Sequence, residues 1–218
     1  MDIPGAIVGA ILTYAGIAFE KGLTALVENA KIRREREQEL RERIVGGQVQ
    51  TSDVVEWIRL QRGFLRRRRP DLSRSSLEKV DLGRQDLRYV KLYRANLKKA
   101  VLPLANLSET DWTYAVFRLA DLSGAPLVKA DVRGAHLSDA DLQGSDLTEA
   151  NLEGASLANA KLQSAKLINS ILVKANLSGA NLSGANLSGA NLHQAKYDQD
   201  TTWPDGFDPV AAGAESGK

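Results

Sequence analysis

The chain has 218 residues, 43% of them hydrophobic and 26% charged, with a formal net charge of +2 and no cysteine. That apolar share is enough for a real core, while the missing thiols exclude a disulfide framework, a thiolate metal site and a cysteine nucleophile and favour an intracellular setting. The small net charge hides an uneven layout: Lys and Arg outnumber Asp and Glu by 13 to 9 over residues 1–70 and by 8 to 4 over 71–99, but 3 cations face 9 acids over 100–160, which gives a basic amino-terminal end and an acidic waist.

In chain order, residues 3–19 (IPGAIVGAILTYAGIAF) carry no charge. A secretory leader does not fit, because Met1-Asp2 supplies no basic start. As a membrane span the segment stands at the short limit, since about 17–25 apolar residues are needed. Ile7, Ile11, Leu12 and Ile17 are the side chains by which it would enter a membrane, join a second copy in a homo-oligomer, or bury itself. The expected location is cytoplasmic, at the inner face of the cytoplasmic membrane if this segment docks there, because the arginines after Ala30 would stay inside.

The helix is expected to continue through residues 31–43, where Glu37 with Arg41 and Glu39 with Arg43 have the favoured spacing, and to end at Gly46-Gly47. Residues 1–47 thus read as one long helix, apolar and then charged. Within residues 48–69, Thr51 or Ser52 caps a second helix from about Asp53 to Leu65, and Val54, Trp57, Ile58 and Leu65 share one side. Trp57 and Ile58 are the expected cover for whatever core opens beyond them. Arg66, Arg67, Arg68 and Arg69 read as a solvated boundary, with contact to phosphate or an acidic partner as the alternative.

From residue 70 to 199 an apolar residue returns every five positions. Of the 26 centres from 72 to 197, 22 are Leu, and the others are Trp112, Phe117, Val132 and Tyr197. The residue two before the centre is Ala at 18 of 26 positions, the one just before is usually Asp or Asn, and Gly recurs two after. A step of five spreads side chains over all faces of a helix, and an odd step alternates faces of a strand. A corner in every repeat is therefore needed to keep the leucines in one interior, and the recurrent Ser and Gly after the leucine are where it fits. Leu82, Leu92, Leu97, Leu107, Trp112, Phe117, Leu122, Leu142, Leu152, Leu162, Leu177 and Leu187 form the expected core. Residues 200–218 read as a cap carrying Trp203 and Phe207, followed by a flexible tail.

The unit A-(D/N)-L-x-x, purest in ANLSGANLSGANLSGANL, resembles the pentapeptide-repeat family. The resemblance implies an all-β solenoid, a right-handed parallel β-helix of square cross-section with four repeats per coil, here preceded by an α-helical segment. Residues 20 apart would then lie one above the other, placing Asp111 over Asp131 and Asp121 over Asp141, with their carboxylates bonding local backbone.

An enzyme reading lacks parts. His136 and His193 are the only histidines and would lie almost three coils apart, the Ser-Gly pairs have no base, and the Asp residues are periodic. No catalytic residue, metal or cofactor is expected. The first functional reading is a non-enzymatic protein-interaction scaffold, tethered or oligomerised by its amino-terminal helix, with a protein partner that the sequence does not name. The alternative is a DNA-mimicking inhibitor of DNA gyrase, as some members of the resembled family are, with the waist acids, among them Asp121, Asp131 and Asp141, as the contact. This chain departs from those members because residues 71–199 hold 15 Lys and Arg against 14 Asp and Glu and no dimerising helix follows. Direct nucleic-acid binding by the basic end is disfavoured, since Tyr89 and Tyr93 are the only rings near it.

Overall fold

Leucine every fifth residue, with a corner in each repeat, closes the backbone into coils of 20 residues. The computed structural model describes residues 28–46, 50–62 and 69–217, which fall in two units, 1–41 and 42–218. Parallel bridges join each residue before a centre to the residue 20 further on: Asp71 to Lys91, Ser76 to Asn96, Asp81 to Val101, Asp86 to Asn106, and so up the chain. Four bridged sides per turn make a quadrilateral. Each side is so short that it holds one bridged residue between two corners rather than an extended strand. The bridge between Asn106 and Pro126 is missing because proline has no N–H, yet Leu107 N still donates to Pro126 O at 2.8 Å.

The corners explain the rest of the repeat. In 24 of the 25 the N–H three residues after the centre donates to the central carbonyl, as Ala115 does to Trp112 O at 2.7 Å; at the other, Leu107 O takes the Thr110 hydroxyl instead. All 25 residues two after a centre, from Arg74 to Gln194, have φ between 54° and 70°. This is the pattern of a type II turn, whose third residue needs positive φ. Seven of the 25 are Gly, so 18 corners hold an L-residue in the left-handed region, where only glycine sits without strain. One corner N–H, on the residue after the centre, has no place in the ladder. The Asp or Asn before the centre satisfies it: at 15 corners its Oδ1 accepts this N–H at 2.9–3.4 Å, as from Ser123 to Asp121 and from Ser183 to Asn181. Where Val101 offers no acceptor, the residue that would need one is Pro103, which has no N–H.

Inside, the centres and the small residues interleave, and Leu82, Leu92, Leu97, Leu107, Leu122, Leu142, Leu152, Leu162, Leu177 and Leu187 are all buried. Serine and threonine are accepted among the inward alanines because their hydroxyls donate to the carbonyl three residues back: Ser145 to Leu142 and Ser170 to Leu167 at 2.8 Å, and Thr110 to Leu107. Trp112 and Phe117, on adjacent sides of one coil, stack with centroids 4.0 Å apart.

Residues 28–45 are helical (α1). Its pairs differ from the expected ones: Glu37 takes Arg33 at 3.0 Å, Glu39 takes Arg36 at 2.9 Å, and Arg43 reaches Asp53 at 2.9 Å. A buried carboxylate outcompetes an exposed one for Arg43. The second helix, α2, spans Thr51–Arg62 rather than running to Leu65, which lies outside the described residues. Its cap also differs, since Asp53 Oδ2 accepts Gln50 N at 2.9 Å and Gln50 O accepts Asp53 N at 3.0 Å, half of a capping box. Thr51 is thereby free for another task. Its hydroxyl accepts Asp81 N at 3.2 Å, a donor that every later coil would give to the coil below. Val54, Trp57 and Ile58 on α2 are buried, and the first-coil residues Leu72, Leu77, Leu82 and Leu87 are as buried as those in mid-rod.

At the other end the coil lengthens by one residue, so Asn181 pairs with Thr202. Gly179 N, which in regular coils would meet a carbonyl, meets Asp198 Oδ1 at 2.8 Å. Trp203 stacks on Phe207 at 5.3 Å and meets Tyr197 edge-on at 5.6 Å. The tail expected to be flexible instead extends the ladder: β1 (Lys196–Tyr197) pairs in parallel with β2 (Glu215–Ser216), and Ala214 is buried. The last coil leaves N–H and C=O groups open, and the tail supplies their partners.

The Asp198 contact gives a pH-dependent stability. Hydrogen bonds from Gly179 N–H, then from Thr201 and Asp200, hold this carboxyl below the usual carboxylate range. A depressed folded-state pKa stabilises above the unfolded value and is lost as the pH falls through it, here below about 4. Asp198→Ala should therefore melt lower than the parent at pH 7, with the difference shrinking at pH 3, as thermal melts followed by circular dichroism would show.

Candidate interaction surface

The outward positions stack into columns with the coil period, so a residue meets the one 20 or 21 further on. In the waist this register neutralises charge. Arg118 meets Asp139 at 3.3 Å, Lys129 meets Glu149 at 3.6 Å, Lys161 meets Asp141 at 3.2 Å and Lys166 meets Asp146 at 3.5 Å, while Arg133 reaches across its own corner to Asp131 at 2.6 Å. The Arg133 guanidinium holds Asp131 below the usual carboxylate range. Burial alone would push Asp146 up, but hydrogen bonds from the Thr148 hydroxyl and N–H, with Lys166 beside them, bring it below. Asp111 does lie over Asp131 and Asp121 over Asp141, with every Oδ1 turned into its own corner.

The basic end behaves differently. Arg88 is tied to Asp86 at 2.9 Å, and Arg69 lies 6.0 Å from the Tyr89 ring. Arg66, Arg67 and Arg68 lie outside the described residues, as do Ile7, Ile11, Leu12 and Ile17 and with them the whole segment 3–19. The corner column 74, 94, 114, 134 carries Arg74, then Arg94 against the rings of Tyr93 (5.2 Å) and Tyr114 (5.8 Å), then Gly134. Tyr93 and Tyr114 meet edge-on at 6.3 Å. A Cβ at Gly134 would come within 2.6 Å of the Tyr114 ring, so glycine here makes room for the ring of the coil below as well as for the turn. Tyr114 was not among the sequence candidates; its spacing of 20 from Arg94 was the available signal.

His136 and His193 stand on different sides of the coil and in different turns. Among the described residues no three His, Cys, Asp or Glu side chains gather as a metal site, and no helix is long and apolar enough to cross a membrane.

The sequence matches the family model described as pentapeptide repeats, in 8 copies over residues 71–102, 104–139, 135–172 and 160–196. Among solved structures it is similar to HetL, a pentapeptide repeat protein involved in heterocyst differentiation regulation from the cyanobacterium Nostoc, at 30% identity over 66% of this chain and 77% of that one, with a TM-score of 0.37. A second pentapeptide repeat protein from Nostoc, alr5209, is 35% identical over 56% of this chain and 84% of its own, with a TM-score of 0.32. QnrB1, a plasmid-mediated fluoroquinolone resistance protein, is 22% identical over 68% and 75%, with a TM-score of 0.47. No curated protein matches the sequence.

Proposed function

The chain belongs to the pentapeptide-repeat family, and from that premise we propose that it is a non-enzymatic scaffold that displays a rigid charged surface to a protein partner. One observation carries this reading: the ladder runs without a register change from Asp71 to Lys196, so that every outward side chain stands at a fixed height in one of a few columns. Such a surface is pre-ordered, and binding to it loses little conformational entropy. The segment 3–19 would tether or oligomerise the rod, at the inner face of the cytoplasmic membrane in the tethered case.

DNA mimicry toward gyrase stands second, because it needs acids free to imitate phosphates. Five of the nine waist acids, Asp131, Asp139, Asp141, Asp146 and Glu149, already hold a cation of the same rod.

The test is a quantitative pull-down with the full chain and with a chain altered only at outward column residues. The scaffold reading expects saturable protein retention that the outward changes abolish while the melting curve stays put. Retention no greater than on bare beads at physiological salt overturns it. Flotation of the full chain with anionic liposomes tests the tether separately.

A further inference from the structure

The basic end is sorted by the coil register into paired and unpaired cations. One side of the first two coils runs between the corner column of Arg74 and Arg94 and the corner column of Lys79, Lys98 and Lys99. The backbone bonds Arg74 N to Tyr93 O (2.8 Å), Lys79 N to Lys98 O (3.0 Å) and Lys99 N to Arg118 O (3.0 Å) fix these heights. None of these five cations reaches a carboxylate among the described residues, whereas Arg118, next above, is taken by Asp139. Glu78 is the one acid on this side, and between the columns stand Ser76, Asn96 and Val116. The patch is bordered by two rings. Tyr114 is 53% exposed, and Arg94 holds it and Tyr93 in one cluster.

We propose that this side binds single-stranded nucleic acid, with phosphates on the five cations and a base against the exposed part of the Tyr114 ring. Fixed cations beside an exposed ring are the pair of features by which sequence-tolerant single-strand binding works. A carboxylate-rich peptide would use the cations and leave the rings idle. A duplex is a poor fit, because the flat side has no helix or ribbon to enter a groove. The inference is independent of the protein-scaffold reading, since it invokes neither the waist nor residues 3–19.

Fluorescence anisotropy of labelled oligo(dT) and oligo(U) with the full chain tests it. If each cation meets one phosphate, log K should fall against log salt with a slope of about −3.5, at about −0.7 per contact. Lys79→Ala with Lys99→Ala should flatten that slope by about 1.4. Tyr114→Ala should weaken binding about tenfold at unchanged slope, and Tyr114→Phe should not. Arg84→Ala with Lys91→Ala, on other sides of the coil, should change nothing. Several results would overturn the proposal: no binding at low salt, full binding after all five cations are removed, equal affinity for polyglutamate, a preference for anionic vesicles, or indifference to Tyr114→Ala in a chain whose melting curve is intact. A difference between oligo(U) and oligo(dT) would assign the ligand to RNA or DNA, with the proposal upheld in either case.

Discussion

Trp112→Ala should cost about 3–5 kcal/mol, the usual loss for a fully buried large aromatic. For a chain of this size that is a fall in Tm of roughly 6–20 °C. Trp112 is 0% exposed, stacks on Phe117, and its column neighbour one coil on is Val132, the one valine among the centres. The small neighbour offsets the large ring, which predicts coupling: Trp112→Leu alone leaves a void, and adding Val132→Leu should restore part of the loss. Additive costs in that double-mutant cycle, read from urea unfolding, would show that the two residues do not share a volume. Trp112→Phe should be far milder, within about 1.5 kcal/mol, because it keeps a ring against Phe117. It also removes the Trp112 indole N–H, which is buried and has no acceptor among the described residues, so the lost volume is partly offset.

How much of this was legible in the sequence depends on the range of the interaction. The corner could be read from Gly124, Gly134 and Gly144, and the structure extends it to Arg74, Lys79 and Tyr89, which take positive φ without being glycine. Hydrogen bonding of Asp and Asn to local backbone was what the family resemblance implied, and it is a local contact between residues two apart. The ion pairs of the waist are a register effect: Asp141 with Lys161, or Lys129 with Glu149, can be found by counting 20 once the coil length is accepted. Counting charge by segment hid them, and made the waist look like a free acidic surface. The partner of Arg43 was not legible, because Asp53 belongs to another helix and only tertiary packing brings it near. The tail was misread for a related reason. VAAGAES has the composition of a frayed end, but the last coil's open backbone groups lend it a strand's partners.

The inward alanine column sets the second large effect. Ala150 is 0% exposed, and the register places it between Ala130 and Ser170. Ala150→Ser should cost less than about 1 kcal/mol, because Ser145 and Ser170 show that a hydroxyl there can donate to the carbonyl three residues back. Ala150→Asp should cost about 3–5 kcal/mol at pH 7, since a carboxylate can only accept and finds no cation inside the rod. The pH dependence distinguishes this from simple crowding. Burial would raise the introduced carboxyl's pKa above its unfolded value near 4, so the variant's deficit should grow as the pH climbs from about 4 toward that raised value and then level off. This is the reverse of Asp198, Asp131 and Asp146, whose depressed values add stability above about 4 and lose it below. The urea midpoints of Ala150→Asp and its parent should thus lie closer together at pH 4.5 than at pH 7. A deficit that stays constant between those pH values would mean that steric overpacking, rather than burial of charge, makes the column exclude everything but the smallest side chains.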